Sequence, residues 1–256
     1  MEKIYLWDNP PYISDTNNGF RPSITEYKVN DTKTAVIVIP GGGYGMKADH
    51  EREPIARMFN AGGINAFTLD YNVAPCNKYA PLSDVQRAVR TVRSMGYEKV
   101  ATLGFSAGGH LCCTSGTLYD FDAYPKTDKI DELSARPDAF MPCYPVVSFR
   151  DELTHMGTRE NLLGKEKDDI RLVNMFSNEL NITKDTPPCF IWITRNDNAV
   201  DSENALALAS ALSKKKVYYA LHIYPDGCHG LGLAEDRNDV STWTDLAVLF
   251  LKNLGW

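Results

Sequence analysis

Short apolar runs recur along the chain, each followed by a longer stretch with helical spacing. Ala35-Val-Ile-Val-Ile39 is uninterrupted, as in a strand buried on both faces. Segments Ile64–Leu69, Val100–Leu103, Ala139–Tyr144, Cys189–Thr194 and Tyr218–Ile223 read the same way. Between them, helical patterns cover Glu51–Asn60, Leu82–Met95, Ala107–Leu118, Glu203–Ser213 and Val240–Leu254. Pro81 suits a helix start, where its missing N–H costs little. The alternation predicts an α/β fold, a mostly parallel central sheet with helices on both faces.

Periodicity is weakest between Ser148 and Pro188. That segment follows one strand and precedes another, so it reads as an insertion over the C-terminal edge of the sheet. Open α/β sheets bind ligands at that edge. No repeat or low-complexity linker divides the chain, and residues 1–256 are expected to form one domain.

Composition narrows the class. The chain is 43% hydrophobic and 23% charged, as in ordinary globular proteins. A net charge of −6 without a basic stripe argues against nucleic acid. No apolar run approaches the ~20 residues of a membrane span, and Met1–Asp8 lacks a signal core. A cytoplasmic protein with no membrane partner is therefore expected. Assembly into a homo-oligomer is left open. The six cysteines form no C-x-x-C pair or zinc-finger spacing, so no metal is expected. Cys228, beside His229, is read as packing.

Chemistry enters with Gly104-Phe-Ser-Ala-Gly108, a G-x-S-x-G motif between a β-branched run and small helix-compatible residues. In a nucleophile elbow the serine sits on a tight strand-to-helix corner with its oxygen exposed, above a helix N-terminus that favours negative charge. A plain turn using serine as a helix cap has the same local pattern, so partners must decide. A serine nucleophile needs a base, and the base an orienting acid. In chain order these should follow Ser106 as acid, then histidine. Only His222 and His229 follow plausible acids. His222 alternates within a strand and reads as structural. His229 lies just past that strand in a glycine-containing loop and is the expected base. His110 is one helical turn past Ser106 and should pack or hydrogen-bond. Among Asp197, Asp201 and Glu203, Asp197 comes first after the preceding strand; the other two suit the first turn of a helix.

The developing oxyanion needs backbone N–H donors. Ala107 supplies one. The glycine loop Pro40-Gly41-Gly42-Gly43-Tyr44, directly after the Ala35–Ile39 strand, can supply others. No P-loop or dinucleotide-binding glycine spacing competes for this loop. Segment Thr154–Gly164 carries His155, Arg159, Glu160 and Asn161 without a clear helical period. It reads either as a solvated loop or as a pocket rim in which Arg159 hydrogen-bonds substrate hydroxyls.

These residues resemble the acetylxylan esterase-like carbohydrate esterases, α/β-hydrolases related to the hormone-sensitive-lipase branch, with Pro-Gly-Gly-Gly-Tyr in place of His-Gly-Gly-Gly. The similarity runs from Tyr27 onward through Glu53-Pro-Ile-Ala56, Ala80-Pro-Leu-Ser-Asp84 with Arg87-Ala88, Gly104–His110, Tyr144-Pro-Val-Val-Ser148, Thr154–Gly164, Thr186-Pro-Pro188 and His229-Gly-Leu-Gly232. The resemblance implies an α/β-hydrolase fold with Ser106, Asp197 and His229 as catalytic residues. It also implies an oxyanion hole from Gly42 or Gly43 with Ala107, and no cofactor. Tyr44 and Arg159 are expected at the substrate. Asp201 stands where the family often has proline, and Ile193 and Asn72 where it often has histidine and arginine. The expected function is a serine esterase acting on short-chain, acetyl esters, with acetylated xylo-oligosaccharides or other sugars as substrates. The alternatives are a general short-chain carboxylesterase or arylformamidase-like amidase, and a catalytically silent binding protein on the same fold.

Overall fold

In the computed structural model, which describes residues 3–11 and 19–256, eight strands form one sheet. Met1 and Glu2 of the N-terminal reading lie outside the described residues. The strands are β1 (Lys3–Tyr5), β2 (Ser23–Tyr27), β3 (Thr34–Ile39), β4 (Asn65–Asp70), β5 (Lys99–Phe105), β6 (Ala139–Cys143), β7 (Cys189–Thr194) and β8 (Tyr219–Tyr224). Their order is β1-β2-β4-β3-β5-β6-β7-β8. From β4 to β8 all pairings are parallel; β1 and β2 are antiparallel additions at one edge. All six apolar runs of the sequence are strands. Strands β6 and β7 are buried at every position, and the uninterrupted run of β3 from Ala35 to Ile39 likewise, since helices cover both faces.

The helices are α1 (Glu53–Ala61), α2 (Ala80–Ser94), α3 (Ser106–Thr117), α4 (Met156–Leu163), α5 (Ile170–Met175), α6 (Glu203–Lys214) and α7 (Trp243–Asn253). Proline stands in the first turn of both α1 and α2. Helices α2 and α3 pack together against β5. On the opposite face Phe105 meets Trp243 of α7 edge-on, and Val248 of α7 crowds Gly62 at the end of α1.

The edge pair and the helices α4 and α5 are absent from the sequence reading. Strand β2 is five residues long, too short for its alternation to stand out. Helix α4 is capped by His155, outside the usual Ser/Thr/Asp/Asn set, which hid its start. Asp169 caps α5, but only six residues follow.

A buried clamp fixes the chain outside the sheet. Arg87 of α2 donates to Leu6 O, Asp128 and Asp131, and Tyr124 also donates to Asp131. Burial disfavours the Asp131 carboxylate, but hydrogen bonds from Tyr124, Thr127 and Arg87 outweigh it and hold its pKa at about 2. Asn72 and Ile193 are both buried, Asn72 against Asp84, so neither forms a pocket edge.

Register places the site. Ile39 of β3 and Pro142 of β6 flank Gly104, so the glycine loop after β3 leaves the sheet beside the corner after β5. Strands β7 and β8 pair through Thr194 and Tyr224, and their C-terminal loops carry Asp197 and His229 to the same edge.

Candidate active site

Ser106 begins α3 with φ of 54°, a left-handed conformation that non-glycine residues rarely adopt. The corner can close only because its neighbours lack side chains. A Cβ on Gly104 would strike Gly108 O, and one on Gly108 would strike the carbonyls of Ile39 and Pro40. Gly41 is equally close: its Cβ would lie 2.7 Å from Phe105 O and 3.0 Å from Ser106 Cβ. The strained serine is thus held by packing on two sides.

Ser106 Oγ lies 2.7 Å from His229 Nε2, and His229 Nδ1 lies 2.7 Å from Asp197 Oδ2. Asp197 is almost wholly buried, and its other oxygen accepts from the N–H groups of Ala199 and Val200. That leaves Oδ2 aimed at the imidazole. Asp201 instead accepts from Glu203 N–H at the start of α6. His222 stays on β8, half-buried against Phe190. The order Ser106, Asp197, His229 therefore brings three side chains into one chain of hydrogen bonds.

Among the described residues, no protein acceptor takes the N–H groups of Gly42 or Gly43. Ala107 stands in the first turn of α3, where N–H groups have no intrahelical partner. Gly41 N–H is different: it donates to Glu51 Oε2 at 2.7 Å.

Tyr44 is buried. Its hydroxyl donates to His110 Nδ1 at 2.9 Å, because His110 Nε2–H is used by Phe176 O at 2.8 Å. Burial lowers the His110 pKa to about 4, so the ring is neutral and can accept. It also stacks on Phe149. His110 therefore ties the helix below Ser106 to the glycine loop and to segment 148–188. The Tyr44 side chain belongs to that tie and does not face a ligand.

Arg159 is likewise turned inward. Its guanidinium donates to Phe149 O, Lys167 O, Asp151 and Asp168, and the residue is 4% exposed. Such a side chain holds the insertion together and is turned away from the surface. Asn161 is exposed and donates to Gly43 O at 2.8 Å. It borders a cavity of about 410 Å³ between α4 and residues 74–78. His155 caps α4 through Nδ1, and burial, then the positive charge of a protonated His229, lower its pKa. Among the described residues, no group of three or more His, Cys, Asp or Glu could hold a metal ion.

Two residues of this site escaped sequence reasoning. Glu51 was read only as the start of a helix, yet it is buried beside Gly41. Tyr144, the residue after β6, donates to Glu51 Oε1 at 2.6 Å and accepts from Gly232 N–H at 2.9 Å. The one available signal was a glutamate ten residues after Gly41, which alone says nothing of burial.

The BD-FAE family profile matches residues 24–212, taking in the glycine loop, Ser106 and Asp197 and ending before His229. An acetyl ester-xyloside bifunctional hydrolase from Caldicellulosiruptor lactoaceticus has a similar structure, with a TM-score of 0.92 and 39% identity over 99% of this chain and 96% of that one. Endo-1,4-beta-xylanase B of Butyrivibrio fibrisolvens is 36% identical over 245 residues, 91% of this chain and 38% of the xylanase. Acetylxylan esterase of Xylanibacter ruminicola is 29% identical over 236 residues, 88% of this chain and 45% of the esterase. The chain thus spans less than half the length of these two curated relatives.

Proposed function

The chain belongs to the BD-FAE family and has an α/β-hydrolase fold, and from that premise we propose that it is a serine esterase removing acetyl groups from xylo-oligosaccharides. The observation that carries the proposal is the continuous relay from Ser106 Oγ through His229 to a buried, otherwise satisfied Asp197. The substrate class comes from the relatives, two named for acetyl esters and all three for xylan or xylosides.

In this reading Ser106 Oγ attacks the acetyl carbonyl carbon while His229 Nε2 takes its proton. Asp197 holds Nδ1–H and stabilises the imidazolium. The carbonyl oxygen, now negative, is met by the N–H groups of Ala107 and of Gly42 or Gly43. The intermediate collapses, His229 protonates the departing sugar oxygen, and water then hydrolyses the acetyl-enzyme by the same route. Every proton is carried by His229, so the steps need no added group. Substrate contacts fall to exposed Asn161 and to His155 on α4. Tyr44 and Arg159 serve behind them.

The test is a hydrolysis screen of acetylated xylo-oligosaccharides beside p-nitrophenyl acetate, butyrate and octanoate. A marked preference for the sugar acetates supports the proposal. Preference for aryl or longer acyl esters would replace it with the general carboxylesterase reading, and rapid hydrolysis of an N-formyl arylamine with the amidase one.

A further inference from the structure

Glu51 ends a short turn, Asp49–Glu51, that folds back under the glycine loop: Ala48 N–H donates to Gly41 O and Glu51 N–H to Ala48 O. Its carboxylate is buried and takes one donor on each oxygen, Gly41 N–H on Oε2 and Tyr144 O–H on Oε1. The Tyr144 hydroxyl in turn accepts from Gly232 N–H, three residues past His229. The Tyr144 ring also meets the His229 ring edge-on, with centroids 5.1 Å apart. One chain of hydrogen bonds therefore joins the loop after β3, the end of β6 and the loop after β8.

We propose that Glu51 is a positioning residue, whose carboxylate sets the Gly41–Gly43 donors and His229 onto Ser106 as one unit. The proposal rests on the serine esterase reading above. The role follows from what each link can offer. Tyr144 is a phenol, kept so by burial and by the Glu51 charge, which raise its pKa well above the ordinary value. Its oxygen accepts from Gly232 N–H, and its proton is given to Glu51. Gly41 N–H can only donate. Glu51 must therefore accept at both terminal atoms, which a carboxylate does and an amide, with one oxygen and one NH₂, cannot. Gly41 is also packed on Ser106, so its placement fixes where the next two N–H groups point. By holding Gly41 N–H itself, Glu51 leaves Gly42 and Gly43 as the donors free for the substrate.

Glu51→Gln tests this with almost no change of volume. Its NH₂ must face either Gly41 N–H, donor against donor, or Tyr144, whose hydroxyl proton then has no partner. Kinetics on p-nitrophenyl acetate are read beside active-site titration with a p-nitrophenyl phosphonate, which counts live serines in the folded protein. The expected result is a fall in kcat of ~10- to 100-fold, with KM within about threefold and one titratable serine per chain, as a sub-ångström misplacement would give. Tyr144→Phe breaks the same chain one link further on and should act in the same direction. The double variant should lose no more than the worse single one, as members of one network do.

Wild-type kcat in E51Q, or losses that multiply in the double variant, would overturn the coupling. So would fewer titratable serines with unchanged kcat per serine, which marks a role in folding alone. If E51Q does not fold, Y144F decides by itself: lowered kcat at constant KM supports the proposal, and unchanged kcat overturns it. Ser106→Ala runs alongside. Activity surviving in S106A would instead remove the serine reading, and this proposal with it.

Discussion

The corner at Ser106 and the segment 148–188 stand on the same edge of the sheet but are fixed by different means. At the corner, placement comes from backbone meeting backbone: Gly104, Gly108 and Gly41 each touch a neighbour so closely that a methyl group would collide. The side chain that reaches Gly41 there, Glu51, is itself buried and holds the Gly41 N–H. The insertion has no strand to pin it. It is held by apolar side chains buried in the core, Phe149, Leu162, Leu163 and Phe176 among them, and by long polar ones, Arg159 to two carbonyls and two largely exposed carboxylates, and His110 to Phe176 O. The first arrangement suits a group that must not move by half an ångström. The second ties a surface segment to the machinery beneath it.

The largest effect should come from the corner. Ser106→Ala removes the attacking oxygen and should cut kcat on acetate esters by about 10⁵-fold, with the thermal midpoint close to wild type. Residual activity above ~1% would mean that the rigid corner is scaffolding and that the chemistry lies elsewhere.

Asp197→Asn comes next. The buried oxygen facing His229 Nδ1 would become ambiguous between donor and acceptor, and kcat should drop ~10³- to 10⁴-fold. Asp201→Asn should change kcat by less than about threefold, since asparagine also caps a helix. The reverse order in paired kinetics would show that the loop after β7 rearranges on binding substrate.

These two expectations were within reach of the sequence because they depend on order and local pattern. Apolar runs located six strands, glycines at 104 and 108 marked a corner that admits no Cβ, and the position of each loop after its strand put Asp197 and His229 at one edge. What stayed hidden depends on contacts distant in the chain. Arg159 looked like a ligand contact because a charged residue in an aperiodic stretch resembles a rim. Its acceptors at Phe149, Asp151, Lys167 and Asp168 become neighbours only once α4 forms, and the cap of that helix is a histidine. Tyr44 follows three glycines at the site, yet its side chain points away, toward His110. Glu51 carries little mark in sequence, since its partners Gly41 and Tyr144, and Gly232 bonded to Tyr144 in turn, come from distant parts of the chain.

A variant of the insertion sharpens the contrast. Arg159→Ala should leave the carbonyls of Phe149 and Lys167 unpaired and destabilise the fold by about 2–4 kcal/mol, by urea unfolding. Its effect on kcat/KM should be the same factor for acetylated xylo-oligosaccharides and for p-nitrophenyl acetate. A loss confined to the sugar substrates would mean that Arg159 reaches the ligand, and that the insertion reorganises more than its hydrogen bonds suggest.

The smallest expected effect separates the two arginine clamps by acid. Arg87 is paired with Asp131, whose carboxylate is buried and titrates in the folded protein at about 2, against an ordinary 3.8. A pKa lowered on folding means that the unfolded chain binds the proton more readily. The stabilisation is therefore complete above about pH 4 and is lost progressively as pH falls toward 2. Asp131→Asn removes that dependence, so its unfolding midpoint should fall less steeply than wild type across this window, from a lower starting value. Arg159 is paired with Asp151 and Asp168, which are 84% and 78% exposed, so water and salt already screen those pairs. Raising salt at neutral pH should thus loosen the insertion, followed by proteolysis between residues 148 and 188, before it affects the Arg87 clamp. If salt and acid weakened both clamps in parallel, the division between an arginine pair fixed by burial and one closed by exposed carboxylates would not hold.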